Sequence, residues 1–529
     1  MAHKAYSTYV ISEGFRLYTA VMLPEESGRF PTVVIRSPYA DNTPGKQELL
    51  QKSEQEEAEY YAASHAKWLA HGYAVVYQHC RGRGRSEGDF EAYVNERADT
   101  LALYDWIRAQ SFYNGELYLK GASYVTTVHY CAAPFAEDIK GAVFGVQDTE
   151  RYNICYRNGC FKKGLHGKWH ADNYKKLAGL KKNYCLESFE TLPLSDFSHT
   201  VYGESPKDGF DEILRAPHKD DPFWQTHKGG ADARGCTDHL GFPVLFTTGF
   251  YDLYTGGIFD MWHSMDAESR ARCALVVSPN DHGDNADPAK GFYFPDGQRK
   301  VHFGEDHELL WLEHIRHLDQ PSPFAGGQVY YYNLFENKWQ TVSDFLPTGR
   351  EMRLTLGTES VTYTYNPYAP TRFKGGLSGS FGGAALQDKP GRYDIVTVYT
   401  EPFAEDVAVR GKMTARLQVR ADCEDTCFAV RVSIETENGD LGLRQDITTL
   451  CYQLTDYVPK TDVTLDFAFD EIAFLAQKGK RLRVDIASAD ADHYVRHTNR
   501  KGLYCEQTTA RVAHNTVHLQ DSCLILPIA

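Results

Sequence analysis

Short, nearly continuous apolar runs, each closed by a small or polar cluster, recur through the first part of the chain: FPTVVIRSPY, YAVVYQHCRGRG, ELYLKGASY, GAVFGVQD, FPVLFTTGFYD and CALVVSPNDH. Runs that are apolar at every position, rather than at alternate ones, suit strands buried on both faces, as in a parallel sheet. The stretches between them carry helical spacing. In EYYAASHAKWLAHG and NERADTLALYDWIRAQ apolar residues return every three or four positions, and in the second Leu101, Tyr104, Ile107 and Arg108 fall near one face, with Asn95 placed to cap the helix. Alternating strands and helices predict an α/β sheet covered on both sides.

The rhythm stops between about residues 149 and 239, where Lys, His, Tyr and Asn become frequent and helical stretches such as HGKWHADNYKKLAGL appear. An insertion that follows GAVFGVQD leaves the carboxyl end of a strand, where α/β folds place their functional loops, so it is expected to cap the site. Beyond PSPFAGGQVYYYNLFENKWQTVSDFLP the period becomes two. Met413, Ala415, Leu417 and Val419 alternate with polar residues, as do Leu482, Val484 and Ile486. That pattern predicts half-buried antiparallel strands. With Gly-rich connections such as FKGGLSGSFGG it points to a β-sandwich from about residue 346 to 529. The expected organisation is a sheet domain in two parts, 1–148 and 240–345, a helical cap over 149–239 and the sandwich over 346–529.

A chain of 529 residues with 42% hydrophobic and 24% charged positions suits about two or three packed units. Its net charge of −15 opposes a nucleic-acid partner, which would need clustered Lys and Arg with little competing acid. Arg81 to Arg85 is read as an ion-paired loop and Lys175 to Lys182 as a solvated helix face. The start of the chain lacks the apolar core of a signal peptide, and no later run reaches membrane-spanning length, so no membrane partner and a cytoplasmic location are expected. The 12 cysteines are scattered. Cys423 and Cys427 have neither a second pair nor a histidine at zinc-ligand spacing, and read as reduced thiols.

Three residues carry the chemistry. Ser123 follows the strand ELYLKGA with Gly121 two positions earlier, as at a strand-to-helix turn that exposes a nucleophile, although Val125 stands where the GxSxG form has its second glycine. An activated serine needs a neutral imidazole to take its proton and an acid to orient that imidazole. Asp252 closes FPVLFTTGFYD and His282 closes CALVVSPNDH, so the order Ser, Asp, His is that of α/β-hydrolases, each residue at the carboxyl end of a strand. Rival signals are weaker. Gly82, Gly84 and Gly88 fail the GxGxxG spacing and read as a structural loop, and His314 and His317 lack an HExxH pattern. No metal and no cofactor is expected.

Taken in order, SEGFRLYTAVMLPEESGRFPTVVIRSPY, HGYAVVYQHCRGRGRSEGDF, YDWIRAQSFYNGELYLKGASY, GFYD, DIVTVYTEPFAEDVAVRG and RLRVDIASAD resemble the cocaine-esterase-like and X-Pro dipeptidyl-peptidase group of serine hydrolases over nearly the whole chain. The resemblance implies an α/β-hydrolase domain, a helical cap and a C-terminal jelly roll. It implies that Ser123, Asp252 and His282 form the triad, with the Tyr39 hydroxyl and the Tyr124 backbone N–H as oxyanion hole. The chain departs from the group at Thr126, where a glycine is usual, at His79, which replaces an acid, and at NDHGDN, which replaces a Trp-containing segment. The expected activity is cleavage of a small-molecule ester through an acyl-enzyme. X-Pro dipeptidyl-peptidase or amide acylase action is the alternative, and there Asp148 and Glu150 would be the carboxylates to meet a free N-terminus of a short peptide. A carbohydrate-binding protein with a degenerate hydrolase domain is the alternative of another class. The pattern carries no signal for oligomeric state.

Overall fold

The computed structural model describes residues 3–40, 46–174, 185–283, 292–346, 349–377 and 382–529. The first domain is built on β1 (Lys4–Ser12), β2 (Phe15–Leu23), β3 (Phe30–Ser37), β4 (Ala74–His79), β5 (Tyr113–Ala122), β6 (Ile139–Gly145), β7 (Val244–Gly249), β8 (Ala274–Ser278), β9 (Gln328–Asn333) and β10 (Lys338–Val342). They form one ten-stranded sheet in the order β1-β2-β4-β3-β5-β6-β7-β8-β9-β10. From β4 to β9 every neighbouring pair is parallel. The apolar runs form β3 to β8, as their pattern predicts. The antiparallel hairpin β1–β2 and the closing strands β9 and β10 are additions to that reading.

Helix α1 (Glu54–Ser64) and helix α2 (Glu96–Arg108) cover the sheet. In α2 the buried apolar face is Leu103, Tyr104 and Ile107; Leu101 is half-buried, while Arg108 is exposed and pairs with Asp138, which corrects the expected face. Asn95 precedes the helix, but its side chain makes no capping bond. The polar residues at the start of α2 are buried too. Arg36, at the end of β3, donates to Glu96 at 2.8 Å and to Thr100 at 2.7 Å, and Arg81 pairs with Asp99 at 2.5 Å. Buried charge is tolerated only when so paired. Arg85 meets Glu57 of α1 at 2.5 Å, so the Arg81 to Arg85 segment is an ion-paired loop, as expected.

Between β6 and β7 the described residues form short helices, among them Arg151–Cys155, Lys168–Asn173 and Phe210–Leu214, and a hairpin of Tyr156–Arg157 with Cys160–Phe161. Aromatic stacking fills the space that longer helices would: Phe189 lies 4.0 Å from Phe197 and His170 4.1 Å from Phe210, centroid to centroid. The helical reading of HGKWHADNYKKLAGL holds as far as Asn173. The Lys175 to Lys182 stretch lies outside the described residues.

The rest of the chain makes two antiparallel sheets, the β-sandwich that was expected. One is seven-stranded around the long strand Ala513–Ile528, which pairs with Arg350–Thr355, Ser360–Tyr365, Val407–Gly411 and Thr414–Ala421. The other holds Val396–Tyr399, Leu482–Ala487, Cys427–Thr436 and Gly439–Thr449. Met413, Ala415, Leu417 and Val419 are all buried, as the alternation requires. Leu482–Ala487 is not half-buried, because Arg483 and Asp485 are buried as well, held by ion pairs of 2.9 Å to each other and 3.0 Å from Arg483 to Asp440. Paired charges therefore hide on what the pattern marks as a solvent face.

Candidate active site

Ser123 stands between β5 and the short helix α3 (Tyr124–Tyr130) with φ 57° and ψ −135°, a left-handed conformation that costs a non-glycine residue strain. The neighbourhood pays for it with hydrogen bonds. The Ser123 N–H donates to Gly145 O at 2.9 Å, the Thr126 N–H to Ser123 O at 2.8 Å, and the Thr126 hydroxyl to Gly145 O at 3.2 Å. Thr126 thus binds α3 to the end of β6. Gly121 cannot be replaced without movement, since a Cβ there would lie 2.4 Å from Val125 O. The turn leaves Ser123 half-exposed.

The turn after β7 carries Asp252 and the loop after β8 carries His282, and main-chain bonds lock the two together. Phe250 N–H donates to Ser278 O at 2.8 Å and Tyr251 N–H to Asn280 O at 3.1 Å. The approach is so close that a Cβ on Gly249 would sit 2.1 Å from Asn280 O. Asp252 is 0% exposed, and its Oδ1 accepts from the Tyr254 N–H at 2.7 Å. Its Oδ2 accepts from His282 Nδ1–H at 2.6 Å. That bond assigns the proton to Nδ1 and leaves Nε2 with a lone pair, as a general base requires. The His282 side chain keeps 31% exposure. Burial pushes its pKa down, but Asp252 outweighs this, so the imidazole lies above its ordinary 6.5; Asp281 adds to the rise and Arg299 opposes it.

Tyr39 places its hydroxyl against the Ser123 side chain and accepts from Trp169 Nε1–H at 3.1 Å. Burial raises its pKa, which keeps the phenol protonated. Tyr124 is pinned by its ring. Its hydroxyl donates to Glu96 Oε1 at 2.8 Å and accepts from the Tyr93 N–H at 2.7 Å. Its backbone N–H occupies the first helical position, where no intrahelical acceptor exists.

The structure therefore brings together Asp252 with His282 and Tyr39 with Ser123. Asp148 and Glu150 take partners outside this group. Glu150 pairs with Arg234 at 2.9 Å. Asp148 accepts from the Glu150 N–H at 2.8 Å and from Asn153 Nδ2 at 3.0 Å, and burial pushes its pKa up to about 6. It lines a polar cleft of about 270 Å³ with Arg157, Lys162, Lys412 and Asp470. His79 is buried; its Nδ1 accepts from the Arg85 N–H at 3.3 Å and its Nε2 lies 3.3 Å from Glu57, so α1 supplies an acid beside it.

Sequence reasoning missed the aromatic wall of the site. Trp169 stacks on Tyr124 at 5.2 Å, Tyr93 meets Tyr124 edge-on at 4.9 Å, and Tyr254 lies 5.7 Å from His282. Tyr254 had a signal, two positions after Asp252; Trp169 had only its place in a segment already read as a cap.

A parallel sheet with a serine on a strained strand-to-helix turn, and a histidine–aspartate pair at the ends of later strands, defines an α/β-hydrolase serine hydrolase. Residues 13–284 match the model of the X-Pro dipeptidyl-peptidase (S15) family, and residues 325–523 match the X-Pro dipeptidyl-peptidase C-terminal non-catalytic domain. The chain belongs to the S15 family. It is 24% identical to a cocaine esterase of Rhodococcus sp. (strain MB1 Bresler), across 98% of this chain and 96% of that protein. In fold it is similar to an alpha-amino acid ester hydrolase, with TM-score 0.80 and 18% identity over 100% of this chain and 97% of that one. An aminopeptidase from a Thaumarchaeota archaeon gives TM-score 0.79 at 18% identity, over 100% and 96%. Among the described residues no helix is long and apolar enough to cross a membrane.

Proposed function

We propose that this hydrolase is an esterase in which Ser123 is the nucleophile, His282 the general base and Asp252 the residue that orients the histidine. The observation that carries the reading is the 2.6 Å bond from His282 Nδ1 to buried Asp252, which holds the proton on Nδ1 and leaves Nε2 as the basic nitrogen, in a fold that also leaves Ser123 half-exposed at the end of β5. Nε2 takes the Ser123 proton as Oγ attacks the carbonyl carbon. Tyr39 Oη–H and the Tyr124 N–H stabilise the oxyanion of the tetrahedral intermediate. His282 then returns the proton to the departing alkoxide, and water repeats the sequence on the acyl-enzyme. Residues 149–239 act as the cap, no cofactor takes part, and the cytoplasm is the proposed compartment.

Ester preference is supported by the cocaine esterase and the alpha-amino acid ester hydrolase among the similar proteins. The S15 family model favours a second reading, release of an X-Pro dipeptide, in which Asp148 or Glu150 would meet the free amine. The two separate on specificity constants for short- and long-chain aryl esters, aryl amides and Xaa-Pro anilides measured side by side. Esters are expected to lead; an Xaa-Pro anilide in first place would replace the esterase reading with the peptidase one.

A further inference from the structure

One buried cation beside the site has no part in the chemistry above. Arg151, 2% exposed, opens the helix Arg151–Cys155. Its Nη1 donates to Lys228 O, and its Cζ lies 4.4 Å from the centre of the Tyr93 ring. Nε and Nη2 have no hydrogen-bond partner. Those two N–H groups form the side-on edge of the guanidinium, the pair that grips a carboxylate with two parallel bonds. His166, 1% exposed, stands close enough to feel the Arg151 charge, and neither of its ring nitrogens has a partner. Burial, with Arg151 adding to it, keeps this imidazole neutral, so it can donate one N–H without adding charge. The carboxylate of the same neighbourhood, Asp208, is already committed, to His170 Nε2 at 2.9 Å and the Phe210 N–H at 3.3 Å.

Two short paths connect this edge to the reacting groups. Tyr93, which carries Arg151 on its face, packs 6.0 Å from Trp169; Trp169 donates to Tyr39, whose hydroxyl rests against Ser123. On the other side Arg151 approaches the thiol of Cys155, a poor acceptor, and Cys155 neighbours Tyr254, which lies beside His282. The free edge is thus linked to the serine through Tyr93, Trp169 and Tyr39, and to the histidine through Cys155 and Tyr254. A buried donor pair with no acceptor is costly unless something fills it.

We propose that the Nε and Nη2 edge of Arg151, with His166, is a subsite for a carboxylate of the substrate, so that the preferred substrates are anionic esters with the charge placed under the cap. This rests on Ser123 acting as proposed above. The test uses the full-length protein and pairs of aryl esters: the p-nitrophenyl half-esters of succinic, glutaric and adipic acid against their methyl-capped neutral twins, and 4-butyryloxybenzoate against its methyl ester. In at least one pair the anionic member is expected to have the higher kcat/KM by roughly ten- to a hundredfold, the value of a charge-assisted bidentate bond. Arg151→Met should abolish that preference while the neutral twin stays within about threefold of the parent, and Arg151→Lys should recover only part of it. Should Arg151→Met not fold, the parent's twin comparison and its inhibition by glutarate against neutral glutaramide decide. The proposal is overturned if no anionic member outruns its neutral twin while Ser123→Ala abolishes hydrolysis of both, or if Arg151→Met slows both twins alike. Hydrolysis of neither, or hydrolysis that survives Ser123→Ala, would instead overturn the Ser123 reading and this one with it.

Discussion

A histidine serves as a base only in its neutral form and only if its two nitrogens are told apart. Asp252 does both jobs at a cost, since the carboxylate that fixes the proton on Nδ1 also stabilises the imidazolium and raises the pKa of His282 above 6.5. The sign follows directly. A more stable cation needs a higher pH to lose its proton, so kcat/KM should rise with pH through a midpoint above 6.5 and then level off. Asp252→Asn removes the charge that raises the pKa, and should move the midpoint down while cutting turnover by about ten-thousandfold, as for other triads. A profile flat from acid to neutral pH, with protein and substrate both stable, contradicts a histidine base. Tyr39 offers a second test at this scale. Tyr39→Phe keeps the ring but deletes the donor, and should slow single-turnover acylation by roughly a hundred- to a thousandfold. It also takes away the acceptor of the Trp169 indole, for a loss of about 1 kcal/mol in stability. Acylation within about threefold of the parent, an effect below about 1 kcal/mol, means that the second oxyanion donor is another group.

The strands that carry the proposed triad were legible because burial on both faces leaves one kind of sequence, an unbroken apolar run, and β3 to β8 all have it. The ends of those runs then pointed to Ser123, Asp252 and His282 before any geometry was known. The outer strand β1 was not legible, because its partly exposed residues mix polar and apolar without a clear period. Polar letters misled where charge is buried in pairs, in Leu482–Ala487 and along the start of α2, since a pattern registers that a residue is charged but not that a partner cancels the charge. The inserted segment resisted for another reason. Its described helices are too short to establish a period, and Trp169 and Arg151 matter through neighbours far off in the chain, such as Tyr39 and Tyr93. His79 illustrates the same limit, because its acid partner, Glu57, comes from α1.

At the scale of the whole molecule the C-terminal sandwich supplies none of the proposed catalytic residues, yet it holds both parts that do the positioning. Arg444 Nη1 donates to Phe250 O at 2.6 Å and the Tyr251 hydroxyl donates to Gly442 O at 2.8 Å, so the two residues before Asp252 are bonded to the sandwich. The hairpin of the inserted segment is fastened to it as well, through Arg157 with Asp446 at 2.6 Å and Asp470 at 2.9 Å. The acid turn and the inserted segment are set in place by two domains together, and the account stands on Ser123 as the group they serve. Labelling with a fluorophosphonate tests this most directly, read by intact mass and peptide mapping. The account predicts one equivalent bound, on Ser123, and none on folded Ser123→Ala. A label on another residue, or a folded parent protein that takes none, would contradict it, and the second result would favour a binding protein built on a silent hydrolase fold.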